Sequence, residues 1–93
     1  MTPDEIAGRV CGVTGVPLVV LRGRSRVPFV VRARWVWLYC LRDLYPWMSL
    51  CELADEVGWD CHGTVIHGLR RCDDLYGMDD EFTRQVDLVL EGV

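Results

Sequence analysis

Apolar residues recur along this chain at the spacing of helices rather than strands. Over residues 49–57, Leu50, Leu53, Ala54 and Val57 fall at i, i+3, i+4 and i+7, one face of an amphipathic helix. The longest periodic run is 29–44, where Ala33, Val36, Trp37, Cys40, Leu41 and Leu44 share a face. Val65, Leu69, Cys72 and Tyr76 mark a further stripe, and Phe82, Val86, Val89 and Leu90 another. Near the start, Ile6 and Val10 give a thinner one. Residues 16–21 leave a choice, because their composition suits a strand while their length and Pro17 suit one or two helical turns.

Stop and start signals divide these stripes. Thr2-Pro3-Asp4-Glu5 reads as a capping box with proline at the first helical position, and the 12–15 stretch, with a glycine at each end, stops that helix. Residues 22–28 form a basic loop ended by Pro28, and Pro46 ends the long helix. Ser49 and Glu52 make a second capping box, and Gly58 closes its helix. Asp60 is placed to cap the next helix and Gly77 to end it, with Asp79 or Asp80 capping the last. The expectation is an all-α chain: a compact bundle of five or six helices, one domain over 1–93, with no internal repeat and no linker. It contains a helix-turn-helix made of 49–57 and 60–76.

Composition narrows the function classes. Ninety-three residues, 51% apolar, are enough for one core without metal or disulfides. No apolar run approaches a membrane span and no signal peptide is visible, so a cytoplasmic protein with no membrane partner is expected. The cysteines, Cys11, Cys40, Cys51, Cys61 and Cys72, are odd in number and form no C-x-x-C pair. Four fall within apolar patterns, where free cysteine acts as a small hydrophobe.

Net charge is −4, yet all ten basic residues are arginine, and Arg22, Arg24, Arg26, Arg32, Arg34 and Arg42 cluster with no acid among them. From Asp43 onward, twelve acids face Arg70, Arg71 and Arg84. A chain polarised in this way presents a basic patch to an anionic partner despite its acidic total.

The chemistry concentrates in "GWDCHGTVIHGLRRC", where Cys61, His62, Gly63 and Thr64 crowd the first turn of the second helix of the pair. They are poor helix starters, but small or hydrogen-bonding side chains let a helix tip approach another molecule. In a helix-turn-helix that tip enters the DNA major groove. A metal site is disfavoured: on a helix Cys61 and Cys72 face the core while His67 points away, so with His62 they close no tetrahedron. Adjacent Cys61 and His62 are no nucleophile–base pair, and no G-x-x-x-x-G-K-[ST] exists. No enzyme, cofactor or metal is expected.

The segment "LCELADEVGWDCHGTVIHGLRRCDDL" resembles the C-terminal DNA-binding domain (domain IV) of the bacterial replication initiator DnaA, a Trp-repressor-like helix-turn-helix. That family reads L-x-E-I-G-x-x-F-G-x-R-D-H-T-T-V-L-H-A and then a basic pair. Glu52, Gly58, His62, Thr64, Val65 and His67 match, and Arg70-Arg71 supply the pair. The resemblance extends more weakly to both ends, with the family's R-x-R-Q falling on Arg32 to Trp35. It implies that Arg24 or Arg26 enters the minor groove and that Arg34 holds the duplex backbone. His62 would contact a base, and Thr64 and His67 would contact phosphates. Cys61, Gly63 and Arg71 complete the expected DNA-binding set.

The departures are as informative. The family's Arg-Asp-His-Thr is Asp60-Cys61-His62-Gly63 here, so two of three base-reading side chains are replaced and an acid stands where an arginine did. The expected function is therefore double-stranded DNA binding by a stand-alone domain with altered site specificity, bacterial or phage, in transcription regulation or replication control. The alternative is a protein-interaction module that keeps the fold and has lost most DNA affinity. Trp35 replaces the family's glutamine, and Trp35 with Tyr39 is expected to form an exposed aromatic patch for a protein partner or a second copy. Trp37, two residues on, is expected in the core.

Overall fold

The computed structural model describes residues 2–23, 25–58 and 62–91, with His62 described by its backbone alone. Six helices follow one another: α1 (Pro3–Thr14), α2 (Leu18–Leu21), α3 (Pro28–Leu44), α4 (Leu50–Val57), α5 (His62–Leu75) and α6 (Asp80–Glu91). No strand occurs among the described residues, which form a globule of 28 × 27 × 25 Å. The fold is all-α, as the periodicity implies, and residues 16–21 resolve to the helical choice.

The helix ends are built by the expected chemistry. The Thr2 hydroxyl accepts from the Glu5 N–H at 3.3 Å, and Pro3 occupies the first turn, where no intrahelical N–H bond is needed. Helix α1 runs through Gly12 and stops at Gly15, which takes the left-handed conformation at φ 79°. Pro28 likewise opens α3 rather than merely closing the loop before it. Between Asp79 and Asp80 the structure selects Asp79, whose Oδ1 accepts from the Phe82 N–H at 2.9 Å and from Arg32 at 3.0 Å.

Helix α3 is the axis of the molecule, with every other helix packed against it. Its buried set, Val30, Ala33, Val36, Trp37, Leu38, Cys40 and Leu41, is wider than the single stripe read from the sequence: Val30 extends that stripe by one turn and Leu38 lies to its side. Trp37 and Phe82 are the largest fully buried side chains, joined by Ile6 and Val10 from α1, Val57 from α4 and Val65 from α5. Helices α1 and α6 close the bundle's ends together: Arg9 donates to the Val89 carbonyl at 3.0 Å and the Leu88 carbonyl at 3.1 Å, placing a cation at the C-terminal end of α6. Cys40 and Cys72 are buried, and burial pushes both thiols up to about 12. Cys51 is exposed.

Two expected outcomes follow from this packing. The Trp37 indole N–H has no hydrogen-bond partner among the described residues, so that residue is held by packing. Trp37→Ala should cost about 3–5 kcal/mol in urea melts and Trp37→Phe distinctly less, since no hydrogen bond is lost with the indole. Asp79 is held below its ordinary value of 3.8, first by the Phe82 N–H and then by Arg32. A carboxylate with a depressed folded pKa stabilises the fold above its unfolded pKa and loses that contribution as pH falls. Asp79→Asn keeps a capping oxygen without the charge. The urea midpoints of the native chain and this variant should therefore differ at pH 7 and converge below about pH 4.

Candidate nucleic-acid interface

Helix α4 is capped at both ends. Both halves of the Ser49–Glu52 capping box form, at 3.1 and 3.2 Å. At the other end Gly58 takes φ 76°, and a Cβ there would lie 3.2 Å from the Arg22 carbonyl oxygen. The glycine thus serves twice, supplying the left-handed turn and letting the backbone of the basic loop rest against it. This approach brings the loop alongside the helix-turn-helix, a contact between residues far apart in sequence.

Helix α5 buries Val65, Gly68 and Cys72, while Gly63, Thr64, Ile66, His67, Arg70 and Arg71 are exposed. A Cβ at Gly63 would meet nothing within 4 Å, so packing does not demand glycine there. Cys72 donates its thiol to the Trp35 carbonyl oxygen at 3.2 Å and faces the core. Among the described residues no group of three or more His, Cys, Asp or Glu could hold a metal ion. Trp59, Asp60, Cys61 and Arg24 lie outside the described residues, as does the His62 side chain; the expected cap at Asp60 and the roles read for Arg24, Cys61 and His62 fall there.

The arginines divide by what their guanidinium edges already bind. Arg22, Arg32, Arg42 and Arg84 pair with Asp4, Asp79, Asp73 and Glu81, and Arg9 caps α6. Arg34, expected to hold the duplex backbone, is instead turned inward and only 4% exposed. It donates to the carbonyls of Leu21 at 2.8 Å, Ser25 at 2.6 Å and Val20 at 3.2 Å, and to that of Gly23. A guanidinium has five N–H donors, so with four carbonyls engaged it keeps no bidentate edge for a phosphate. Burial lowers its pKa, but a guanidinium stays charged. Arg26, Arg70 and Arg71 are exposed and form no ion pair or hydrogen bond among the described residues.

A model of the bacterial dnaA protein helix-turn-helix matches residues 3–72. The chain belongs to that family. Similar proteins include the chromosomal replication initiator protein DnaA of Deinococcus deserti, 35% identical over 89% of this chain and 18% of the relative. The DnaA proteins of Cereibacter sphaeroides and Thermomicrobium roseum are 28% and 29% identical over 96% and 92% of this chain. The chain spans less than a fifth of the length of these relatives.

Within this DnaA-type fold the expected aromatic patch does not form. Trp35 and Tyr39 are half-buried and pack against the core, because α5 and α6 cover the side of α3 that bears them. Tyr39 stacks on Tyr76 with ring centroids 4.9 Å apart and meets Phe82 edge-on at 6.4 Å. Tyr76 was read as inward; it is partly exposed, its hydroxyl donating to Asp87 at 2.7 Å. The Arg71 guanidinium lies over the Trp35 ring, 5.5 Å from its centroid. A ring face holds a guanidinium without engaging its N–H edges, which stay available for another partner. The aromatics that stand furthest into solvent among the described residues are Phe29, 57% exposed at the start of α3, and Trp47, 73% exposed in the α3–α4 turn with Tyr45 edge-on at 5.4 Å. No periodic pattern covers that turn, so the sequence carried no signal for it.

Trp35→Ala should therefore destabilise the fold by about 1–2 kcal/mol in urea melts, a partly buried aromatic's share of burial and well short of Trp37→Ala.

Proposed function

We propose that this chain binds double-stranded DNA, with α5 in the major groove and the basic loop in the adjacent minor groove. The observation that carries the reading is the packing of the loop against the Gly58 turn, in a chain of the DnaA helix-turn-helix family. Arg26 lies on that loop, and the exposed side of α5 bears Thr64, His67, Arg70 and Arg71. Among the described residues, Arg26 on the loop and Arg70 and Arg71 on α5 form no ion pair or hydrogen bond, whereas Arg22, Arg32, Arg42 and Arg84 are paired with acids. Arg26, or Arg24, serves as the minor-groove arginine; Thr64, His67 and Arg71 contact phosphates; and His62, with Cys61 and Gly63, faces base edges.

Gly63 offers no side chain to a base, and the packing around it has room for one. The loss is thus at the recognition surface rather than in the fold, which supports a site different from, or less sharply read than, that of the relatives. We place the chain in transcription regulation or replication control, acting in the cytoplasm as a single non-catalytic domain. Among the described residues no helix is long and apolar enough to cross a membrane. The acidic total, −4, favours the rival reading of a protein-interaction module with little DNA affinity.

Titration of labelled random duplex at two salt concentrations separates the two. DNA binding requires affinity that falls steeply with salt, and Arg26→Ala with Arg71→Ala should flatten the slope by about 2. Selection from a random pool should then show His62→Ala relaxing one or two positions by roughly 1–3 kcal/mol, with His67→Ala weakening all sequences alike. Salt-independent or absent binding by the native chain would leave the interaction module as the reading.

A further inference from the structure

The Arg34 guanidinium is spent on the chain itself, and what it binds is informative. Val20 and Leu21 end α2, and Gly23 and Ser25 continue into the loop, so one cation gathers four carbonyls from six consecutive residues. These carbonyls, at and beyond the C-terminal end of a helix, concentrate negative potential where the cation sits. The loop is drawn in closely: a Cβ on Gly23 would lie 3.2 Å from the Val19 carbonyl oxygen. From the same loop the Arg22 carbonyl oxygen abuts the Gly58 turn, and the Arg22 side chain is tied to Asp4 on α1. A continuous set of contacts thus runs from α3 through the loop to the helix-turn-helix.

We propose that Arg34 is a positioning residue for DNA binding: it locks the basic loop against the Gly58 turn, so that loop and α5 meet a duplex as one preformed surface. The proposal rests on the DNA reading above and adds to it a role for a residue that has no edge left for DNA. A loop of small and charged residues without such an anchor would be ordered only on binding, and the ordering entropy would be subtracted from affinity. Lysine is no substitute, because a compact ammonium with three donors cannot span four carbonyls.

The test is a double-mutant cycle on the full chain, binding one labelled duplex at fixed salt. In the native background Arg26→Ala and His67→Ala should each weaken binding about tenfold. In the Arg34→Lys background His67→Ala should keep its effect, while Arg26→Ala should weaken binding by less than about threefold, since a loose loop no longer presents Arg26. Circular dichroism checks that Arg34→Lys is folded. If it is not, Gly23→Ala keeps the Arg34 side chain but crowds the loop against the Val19 carbonyl, and should give the same pattern by displacing the Gly23 carbonyl from Arg34. Amide hydrogen exchange at residues 22–27 should speed up in either variant without added DNA. Equal Arg26→Ala effects in both backgrounds, or unchanged exchange, would overturn the positioning role while leaving DNA binding intact. A native chain that binds no duplex would overturn the DNA reading and this role with it.

Discussion

The structure depends on the burial of α3 by every other helix. A 17-residue helix enclosed in this way keeps few polar positions in solvent, and even Arg34 on it is buried. Arg34 is tolerated because its buried charge is met by four backbone carbonyls. The same enclosure sets α5 and α6 over Trp35 and Tyr39 and makes Trp37 the centre of the core. Stability and the shape of the candidate interface therefore share one helix, whose core side holds the bundle and whose arginine holds the loop.

The arginines show how charge is allotted in an acidic protein with a basic face. Ion pairs with aspartates and a glutamate quench four of them, and exposed pairs of this kind contribute little to stability. Their effect is electrostatic bookkeeping over the surface: they leave uncompensated charge on the loop and on α5. The stacking of Arg71 on Trp35 adds orientation without neutralisation. An anionic partner would meet Arg71 already oriented by that ring.

At the start of α5 the positions that the fold requires and those it leaves free are distinct. Gly63 has open space around it, and the turn before α5 keeps the glycine that its backbone requires. A fold can be preserved while the reading surface changes, because capping, turn geometry and the inward stripe of Val65 and Cys72 make no demand on the outward side chains. Membership in the DnaA helix-turn-helix family thus specifies the scaffold more closely than the partner sequence.

The sequence by itself determined the helices and their order, since 3.6-residue periodicity, two serine or threonine caps and three left-handed glycines are local properties with local causes. It also determined the helix-turn-helix and most inward residues of α4 and α6, although Leu50, at the start of the α4 stripe, is exposed. Part of the candidate site was legible in the same way: Thr64, His67 and Arg71 lie outward on α5 as their spacing requires. Only the tertiary structure decided the fates of Arg34, Trp35 and Tyr39. All three lie off the dominant stripe of α3, where periodicity alone reads solvent. Whether such positions are covered depends on how many helices pack around that axis, and this is a matter of contacts between residues distant in sequence. For the same reason the meeting of the basic loop with the Gly58 turn left no mark in any local pattern.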